Sequence, residues 1–242
     1  MINALKFTTN SKTIISMKGS KTGLSLEYSY DGVDWSEWDL SSLNINSGDT
    51  LYIRGYNPKG FNHNNMSMGY SSFRMKGGKV SCSGNIMSLI DYKNLPDVIP
   101  NWYCFFKLFS GCRVLVSAPE LPATKLNISC YACMFENCSS LKSAPELPAT
   151  ELEASCYLGM FSGCSSLKSA PELPAIELAN GCYNYMFENC TSLTTMPELP
   201  AADLRVGCYK MFSGCTSLKN KPEITESYKS RMTFKEYCQM HI

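Results

Sequence analysis

The chain has 242 residues, of which 44% are hydrophobic and 18% are charged, and its formal net charge is +1. This length can hold two domains, and this hydrophobic fraction is enough to build their cores. A net charge so close to zero argues against nucleic acid or an anionic membrane surface as an electrostatic partner. Since no run of about 18 apolar residues occurs, we expect no membrane insertion.

Residues 1–90 predict a small β-sandwich of the immunoglobulin-like kind. Five runs rich in β-forming residues alternate with glycine-containing turns: ALKFTT, TIISM, LSLEYSY, TLYIRGY and KVSCSG. The clearest hairpin is YSYDGVDWSEWDL, in which Asp31 and Gly32 supply the turn. Residues 91–103 are interpreted as a junction and N-terminal cap, because the first unit of a repeat array needs its apolar end covered.

Residues 104–225 contain five copies of one sequence unit. The copies begin at cysteines spaced by 26 residues: Cys104, Cys130, Cys156, Cys182 and Cys208. Aligned apolar columns follow, such as Phe109, Phe135, Phe161, Phe187 and Phe212. One unit cannot bury such a face alone, so the units are expected to stack as a solenoid.

The apolar spacing within one unit predicts a helix, a turn, a short parallel strand and a second turn. Leu152, Cys156, Met160 and Cys164 recur every four residues, which is typical of one helix face. The helix should end at a residue that tolerates the left-handed conformation, and glycine and asparagine alternate there: Gly111, Asn137, Gly163, Asn189 and Gly214.

Strands pack more closely than helices, so the stacked units should curve with the strands inside. Residues 226–242 are expected to form a C-terminal cap helix. The predicted fold class is therefore α+β, a small β-sandwich followed by a curved leucine-rich-repeat solenoid of about 26 residues per unit.

The chain contains 13 cysteines, most of them in two columns of the repeats. Cysteines eight residues apart on one helix would lie about 12 Å apart along its axis, too far for a disulfide. Free, buried thiols that pack as small hydrophobic groups are therefore favoured over disulfides or a metal site. The Cys130-Tyr-Ala-Cys133 stretch looks like a redox motif, but the other copies lack its second cysteine, so we interpret Cys133 as a drifted surface position.

Motifs for catalysis are scarce. The two histidines, His63 and His241, form no recognisable set with a nucleophile, and no P-loop, GxGxxG or HExxH occurs. The sequence predicts a protein that is not an enzyme and that needs no cofactor or metal.

Charged residues recur in the repeats at positions that packing does not require. The glutamates lie beside prolines, and a lysine precedes two of them by four residues; this polar strip comprises Glu120, Glu146, Glu172, Glu198, Lys142 and Lys168. One interpretation is a solvated face on which lysines relieve a ladder of carboxylates. The other is a binding surface for a protein or glycan partner.

A rival glycan site is the aromatic set of the predicted hairpin, Tyr28, Tyr30, Trp35 and Trp38. Their rings could stack on sugars, although hairpin packing alone also explains them. Under this alternative the protein is a glycan-binding accessory module whose N-terminal domain makes the contact. Neither interpretation indicates an oligomeric state.

The repeat frame CY-x-x-MF-x-G/N-C-x-SL-x-x-APELPA resembles the leucine-rich repeats of the Treponema pallidum and Bacteroides BspA type, in the cysteine- and PELP-rich version of Bacteroidetes proteins. The resemblance covers residues 104 to about 225 and implies a leucine-rich-repeat fold with a binding or adhesive role. Surface members begin with an export signal, whereas this N-terminus lacks a basic segment followed by an apolar run. The expected settings are a cell surface if a leader has been removed, and otherwise a phage particle or the cytoplasm.

Overall fold

The computed structural model describes residues 2–19, 23–62 and 70–219. It is 2% helix and 23% strand. Within these residues the only helix is α1 (Ser88–Asp91). The predicted cap helix at 226–242 and the end of the last repeat, 220–225, lie outside the described residues, as do both histidines.

Nine strands form two sheets. They are β1 (Leu5–Thr9), β2 (Thr13–Lys18), β3 (Leu26–Ser29), β4 (Ser36–Glu37), β5 (Leu43–Ile45), β6 (Thr50–Gly55), β7 (Ser72–Gly77), β8 (Val80–Ser83) and β9 (Leu115–Ser117). One sheet has the order β4-β3-β6-β1-β8-β9 and the other β5-β2-β7. The five predicted strand runs are confirmed as β1, β2, β3, β6 and β8, and the predicted hairpin joins β3 to β4.

The two sheets pack face to face because their strands alternate between buried and exposed residues. In β1, Leu5 and Phe7 are buried while Lys6 faces outward. Phe7 meets Phe73 of β7 across the sheets, with ring centroids 5.4 Å apart. Strand β9 comes from the first repeat and pairs in parallel with β8, so this repeat extends the six-stranded sheet.

The helix predicted for each repeat is wrong, and the structure is not a helix-containing leucine-rich-repeat solenoid. The segment forms consecutive tight turns instead. In the second repeat the amide of Met134 donates to the carbonyl of Tyr131 (3.1 Å), whereas the amide of Cys133 donates to Leu158 of the next repeat (2.8 Å). Alternate amides thus bond within a turn and between repeats, whereas an α-helix would bond them all internally.

Left-handed residues explain why no helix forms. Ser129, Cys133 and Asn137 have φ angles of 52°, 53° and 59°. A left-handed residue at every fourth position interrupts a right-handed helix. Turns of four residues also return every fourth side chain to the same side, which is why the apolar spacing suggested a helix.

The predicted strand of each repeat is largely absent as well. Beyond β9, the described repeats are joined by isolated parallel bridges such as Lys125 to Glu151 and Ser169 to Thr195. The α+β class is therefore corrected to two β-sheets followed by stacked turns.

Two aromatic columns lie in the core of the repeats. The predicted phenylalanine column is confirmed: neighbouring rings from Phe109 to Phe212 stack at 5.5–5.7 Å. A second column, Phe105, Tyr131, Tyr157 and Tyr183, stacks at 5.8–6.0 Å and was not anticipated. The core is continuous from the sheets into the repeats.

The alternating glycine and asparagine column adopts the left-handed conformation, as predicted, with φ between 58° and 76°. The alternation has a packing reason. A Cβ atom on Gly163 would overlap Oδ1 of Asn137 in the preceding repeat, and one on Gly214 would overlap Oδ1 of Asn189. Each asparagine side chain therefore occupies the space that the following glycine leaves open.

Candidate functional site

The polar strip is exposed along the repeats. All four glutamates and both lysines are exposed, while the leucines next to the first three glutamates, such as Leu147 and Leu173, are buried. None of the six charged groups forms an ion pair with another described residue. The close lysine–glutamate pairs that would relieve a ladder of carboxylates are thus not formed within the described residues.

A polar cavity of about 570 Å³ opens where the six-stranded sheet meets the first three repeats. We call it the junction groove; its lining residues are Thr8, Thr9, Asn10, Lys79, Ser81, Val116, Ser140, Lys142 and Ser166. Thr8 of β1 and Ser81 of β8 are direct partners in the sheet. Ser140 and Ser166 are equivalent positions of consecutive repeats.

The groove contains two lysines and no acidic side chain among its lining residues. The ammonium group of Lys79 donates to the hydroxyl of Ser140, and its backbone amide donates to Oδ1 of Asn10 (3.1 Å). Sequence analysis found only Lys142 of this site. The recurring serine, which continues as Ser192, was the available signal for two further residues.

The four hairpin aromatics do not form one surface. Trp38 is 5% exposed, its ring stacks on Phe73 at 6.2 Å and its Nε1 donates to the carbonyl of Ser41 (2.9 Å). Burial leaves Trp38 no face for a sugar ring. Tyr28 and Tyr30 contact each other edge to face at 5.8 Å, and Tyr30 is 47% exposed.

Trp35 is half-buried and has one face covered. The guanidinium group of Arg54 lies 3.7 Å from the centre of the Trp35 ring and 4.0 Å from that of Tyr92. Nε of Arg54 also donates to Glu27 (2.7 Å). The ring of Trp35 is therefore part of a packed cluster.

A second cavity, of about 400 Å³, lies beside this cluster. It is lined by Ser25, Glu27, Gly55, Tyr56, Asp91, Tyr92, Lys93 and Asn94. Tyr56 is 54% exposed. Hydrogen bonds lower the pKa of Asp91, the largest contribution coming from the Asn94 side chain (2.6 Å), so its carboxylate is already engaged.

The cysteines of the described residues are all free, and eleven of these twelve are buried, which confirms the predicted buried thiols. The helical spacing used to argue this is replaced by another geometry. Each thiol of the second column donates to a phenylalanine carbonyl, for example Cys138 to Phe109 and Cys164 to Phe135, both at 3.1 Å. Cysteine thus fills the core and supplies a weak donor.

The thiols are not activated for chemistry. Burial raises the pKa of Cys130 to about 12 and that of Cys133 to about 11. A reactive cysteine needs a lowered pKa, so neither member of the CxxC stretch has the character of a redox thiolate. Cys133 is half-buried, whereas Cys130 is fully buried.

Two further properties concern the part of the chain that the structure describes. It contains no cluster of at least three histidine, cysteine, aspartate or glutamate side chains able to hold a metal ion. It also contains no helix with the length and apolar character needed to cross a membrane.

No family model matches the chain, and no significant match is found among curated proteins or solved structures. The likeness to BspA-type repeats accordingly stays an interpretation of the sequence motif.

Proposed function

We propose that this protein is a non-enzymatic recognition protein that binds a protein or glycan partner through the polar strip of its repeats. The observation that supports this most directly is the exposure of Glu146, Glu172 and Glu198, which form no ion pair with any described residue. Core residues directly beside them are buried, so packing does not account for the charges.

Regular stacking makes such a strip suitable for binding. The repeats are fixed by backbone hydrogen bonds and by aromatic rings stacked at 5.5–5.7 Å. Recurring carboxylates on this support offer a partner several weak contacts whose effects combine through multivalency. We expect the contact to weaken with salt, because exposed charges are screened.

The sequence likeness to BspA-type repeats also favours an adhesive role, on a bacterial surface or as a receptor-binding or structural component of a phage particle. A helix-containing repeat architecture is not part of this proposal. The proposed role requires only that the polar strip be accessible.

A panel of immobilised extracellular-matrix proteins and a glycan array test the proposal. Glu146→Gln, Glu172→Gln and Glu198→Gln are combined in one variant, which removes charge with little change of shape. Folding should be nearly unaffected, since exposed charges contribute only about 0–1 kcal/mol each. Binding to the ligand that the wild-type protein selects should fall, and unchanged binding would refute the polar strip as the contact surface.

A second candidate function is glycan binding by the N-terminal sheets. The exposure of Tyr30 and Tyr56, at 47% and 54%, favours it, and Tyr56 lines the second cavity. Under this alternative, Tyr56→Ala or Tyr30→Ala abolishes binding on the same array while the triple glutamine variant binds normally. A change of Trp38 cannot serve here, because this buried ring contributes to folding.

A further inference from the structure

The junction groove has a chemical character unlike that of the rest of the polar strip. Its floor includes Thr8 and Ser81, which face each other across β1 and β8. Lys79 and Lys142 are both exposed at its edge. No carboxylate lines it, so the groove presents two positive charges without a compensating acid in its lining.

The polar groups of the groove match a hydroxyl-rich ligand. Serine and threonine hydroxyls both donate and accept hydrogen bonds, and lysine donates up to three. The groove is lined by the hydroxyls of Thr8, Ser81, Ser140 and Ser166. Its volume of about 570 Å³ falls within the range of small-molecule sites, about 300–1,000 Å³.

We propose that the junction groove binds an acidic polysaccharide, with Lys79 and Lys142 pairing with carboxylate or sulfate groups and the hydroxyls contacting the sugars. Charge-assisted hydrogen bonds from ammonium groups are stronger than neutral ones and would supply the selectivity for a charged sugar. The proposal concerns a site separate from the glutamates of the polar strip and does not depend on them.

Other classes of ligand fit the lining less well. Val116 is the single apolar side chain in it, whereas peptide sites usually bury apolar anchors. No aromatic side chain lines the groove, so bases of a single-stranded nucleic acid would find nothing to stack on. A sugar chain uses polar contacts alone.

The repeats allow the bound chain to continue beyond the groove. Ser166 is followed 26 residues later by Ser192, and Lys142 by Lys168. Both serines are half-buried and both lysines are exposed. A polymer leaving the groove along the stack therefore meets a second set of similar groups, which a small anion would not use.

The experiment compares polygalacturonate with its fully methyl-esterified, uncharged form by isothermal titration calorimetry. The test variant is Lys79→Gln with Lys142→Gln. The control is Lys59→Gln with Lys125→Gln, which removes the same charge at two exposed lysines outside the groove. Thermal unfolding checks that both variants fold.

We expect the wild-type protein to bind polygalacturonate and not the ester. The test variant should bind at least about tenfold more weakly, and the control should stay within about twofold. Heparin replaces carboxylates by sulfates in a parallel titration; binding of heparin alone would identify sulfate as the recognised group and support the proposal.

Three results would overturn the proposal: equal loss in the test and control variants, equal binding of the ester, or no binding of either polyanion. The triple glutamine variant separates this site from the proposed function. It should bind polygalacturonate at least as well as wild type, because it lacks three negative charges, and loss of binding would also count against the groove.

Discussion

The ring of Phe73 in β7 stacks on that of Phe109 in the first repeat, with centroids 5.0 Å apart and planes inclined by 13°. The backbone amide of Phe73 donates to the carbonyl of Leu108 (2.7 Å). Trp38 lies on the other side of Phe73. The contact between sheets and repeats is thus built like the contact between one repeat and the next.

This shared stack predicts that sheets and repeats unfold together. Phe109→Ala removes a fully buried ring from the contact, so it should cost about 3–5 kcal/mol. Urea unfolding followed by tryptophan fluorescence and by far-ultraviolet circular dichroism should shift equally in both signals. Tyr56→Ala, at an exposed ring, is the control and should have little effect. Separate transitions, with the tryptophan signal unchanged, would show that the two parts are independent.

The thiols should react slowly in the native protein. Eleven are buried, and Cys133 is the half-buried exception among the described cysteines. Ellman's reagent at pH 8 without reductant should therefore label Cys133 first among them, and denaturant should release close to the full 13 thiols of the chain. Cys133→Ser should remove the fast phase. A denatured count near one would instead show that the thiols are paired.

Stability should fall steeply above pH 9. Burial raises the pKa of Cys112, Cys130 and Cys164 from the ordinary value of 9.0 to about 12. The folded protein retains these protons after the unfolded chain has lost them, so the stabilisation is full below pH 9 and is lost between pH 9 and 12. Each such thiol should cost about 1.4 kcal/mol at pH 10. Melting temperatures measured from pH 7 to 10.5 test this, and a flat profile would contradict it.

Recurrence made the repeat core predictable, whereas its backbone geometry was not. The phenylalanine column was readable because Phe135 and Phe161 recur at a fixed period. A four-residue apolar spacing does not distinguish an α-helix from successive turns, and the left-handed conformation of Ser129 or Cys133 leaves no clear mark in the sequence. Only the glycine and asparagine column indicated left-handed residues, and there the prediction was correct.

The junction groove illustrates a second limit. Lys142 was found because it recurs, but Thr8 and Ser81 become neighbours only through the pairing of β1 with β8. Contacts between strands so distant in the chain depend on sheet topology, which local patterns do not specify. Similarly, Trp38 looked like a surface residue of a hairpin, and its burial follows from the second sheet packing over it.

The alternation of glycine and asparagine should be energetically coupled. Gly163→Ala places a side chain at φ 74° and against Oδ1 of Asn137. We expect it to cost more than the roughly 1 kcal/mol of left-handed strain alone. In an Asn137→Gly background only the strain remains, so the same substitution should cost less. A double-mutant cycle in urea measures the difference, and additive effects would mean that the asparagine does not fill that space.

Arg54 should stabilise the N-terminal sheets through stacking more than through charge. It pairs with Glu27, its direct partner across β3 and β6, and its guanidinium group lies between the rings of Trp35 and Tyr92. Stacked cations contribute about 0.5–1 kcal/mol each, or more where desolvated, and the partly exposed ion pair about 0–1 kcal/mol. Arg54→Ala should therefore lower the free energy of unfolding by about 1–3 kcal/mol.

Arg54→Lys separates the two contributions, because lysine keeps the charge but has no planar group to place between two rings. It should recover only a small part of the loss, and tryptophan fluorescence should change in both variants since Trp35 loses its covering group. Arg113→Ala, at an exposed arginine of the first repeat, is the matched control for loss of a positive charge and should be nearly neutral. If Arg54→Lys restored full stability, or if Arg54→Ala cost no more than Arg113→Ala, the cluster would contribute nothing beyond its charge, and the second cavity beside it would lack a rigid wall.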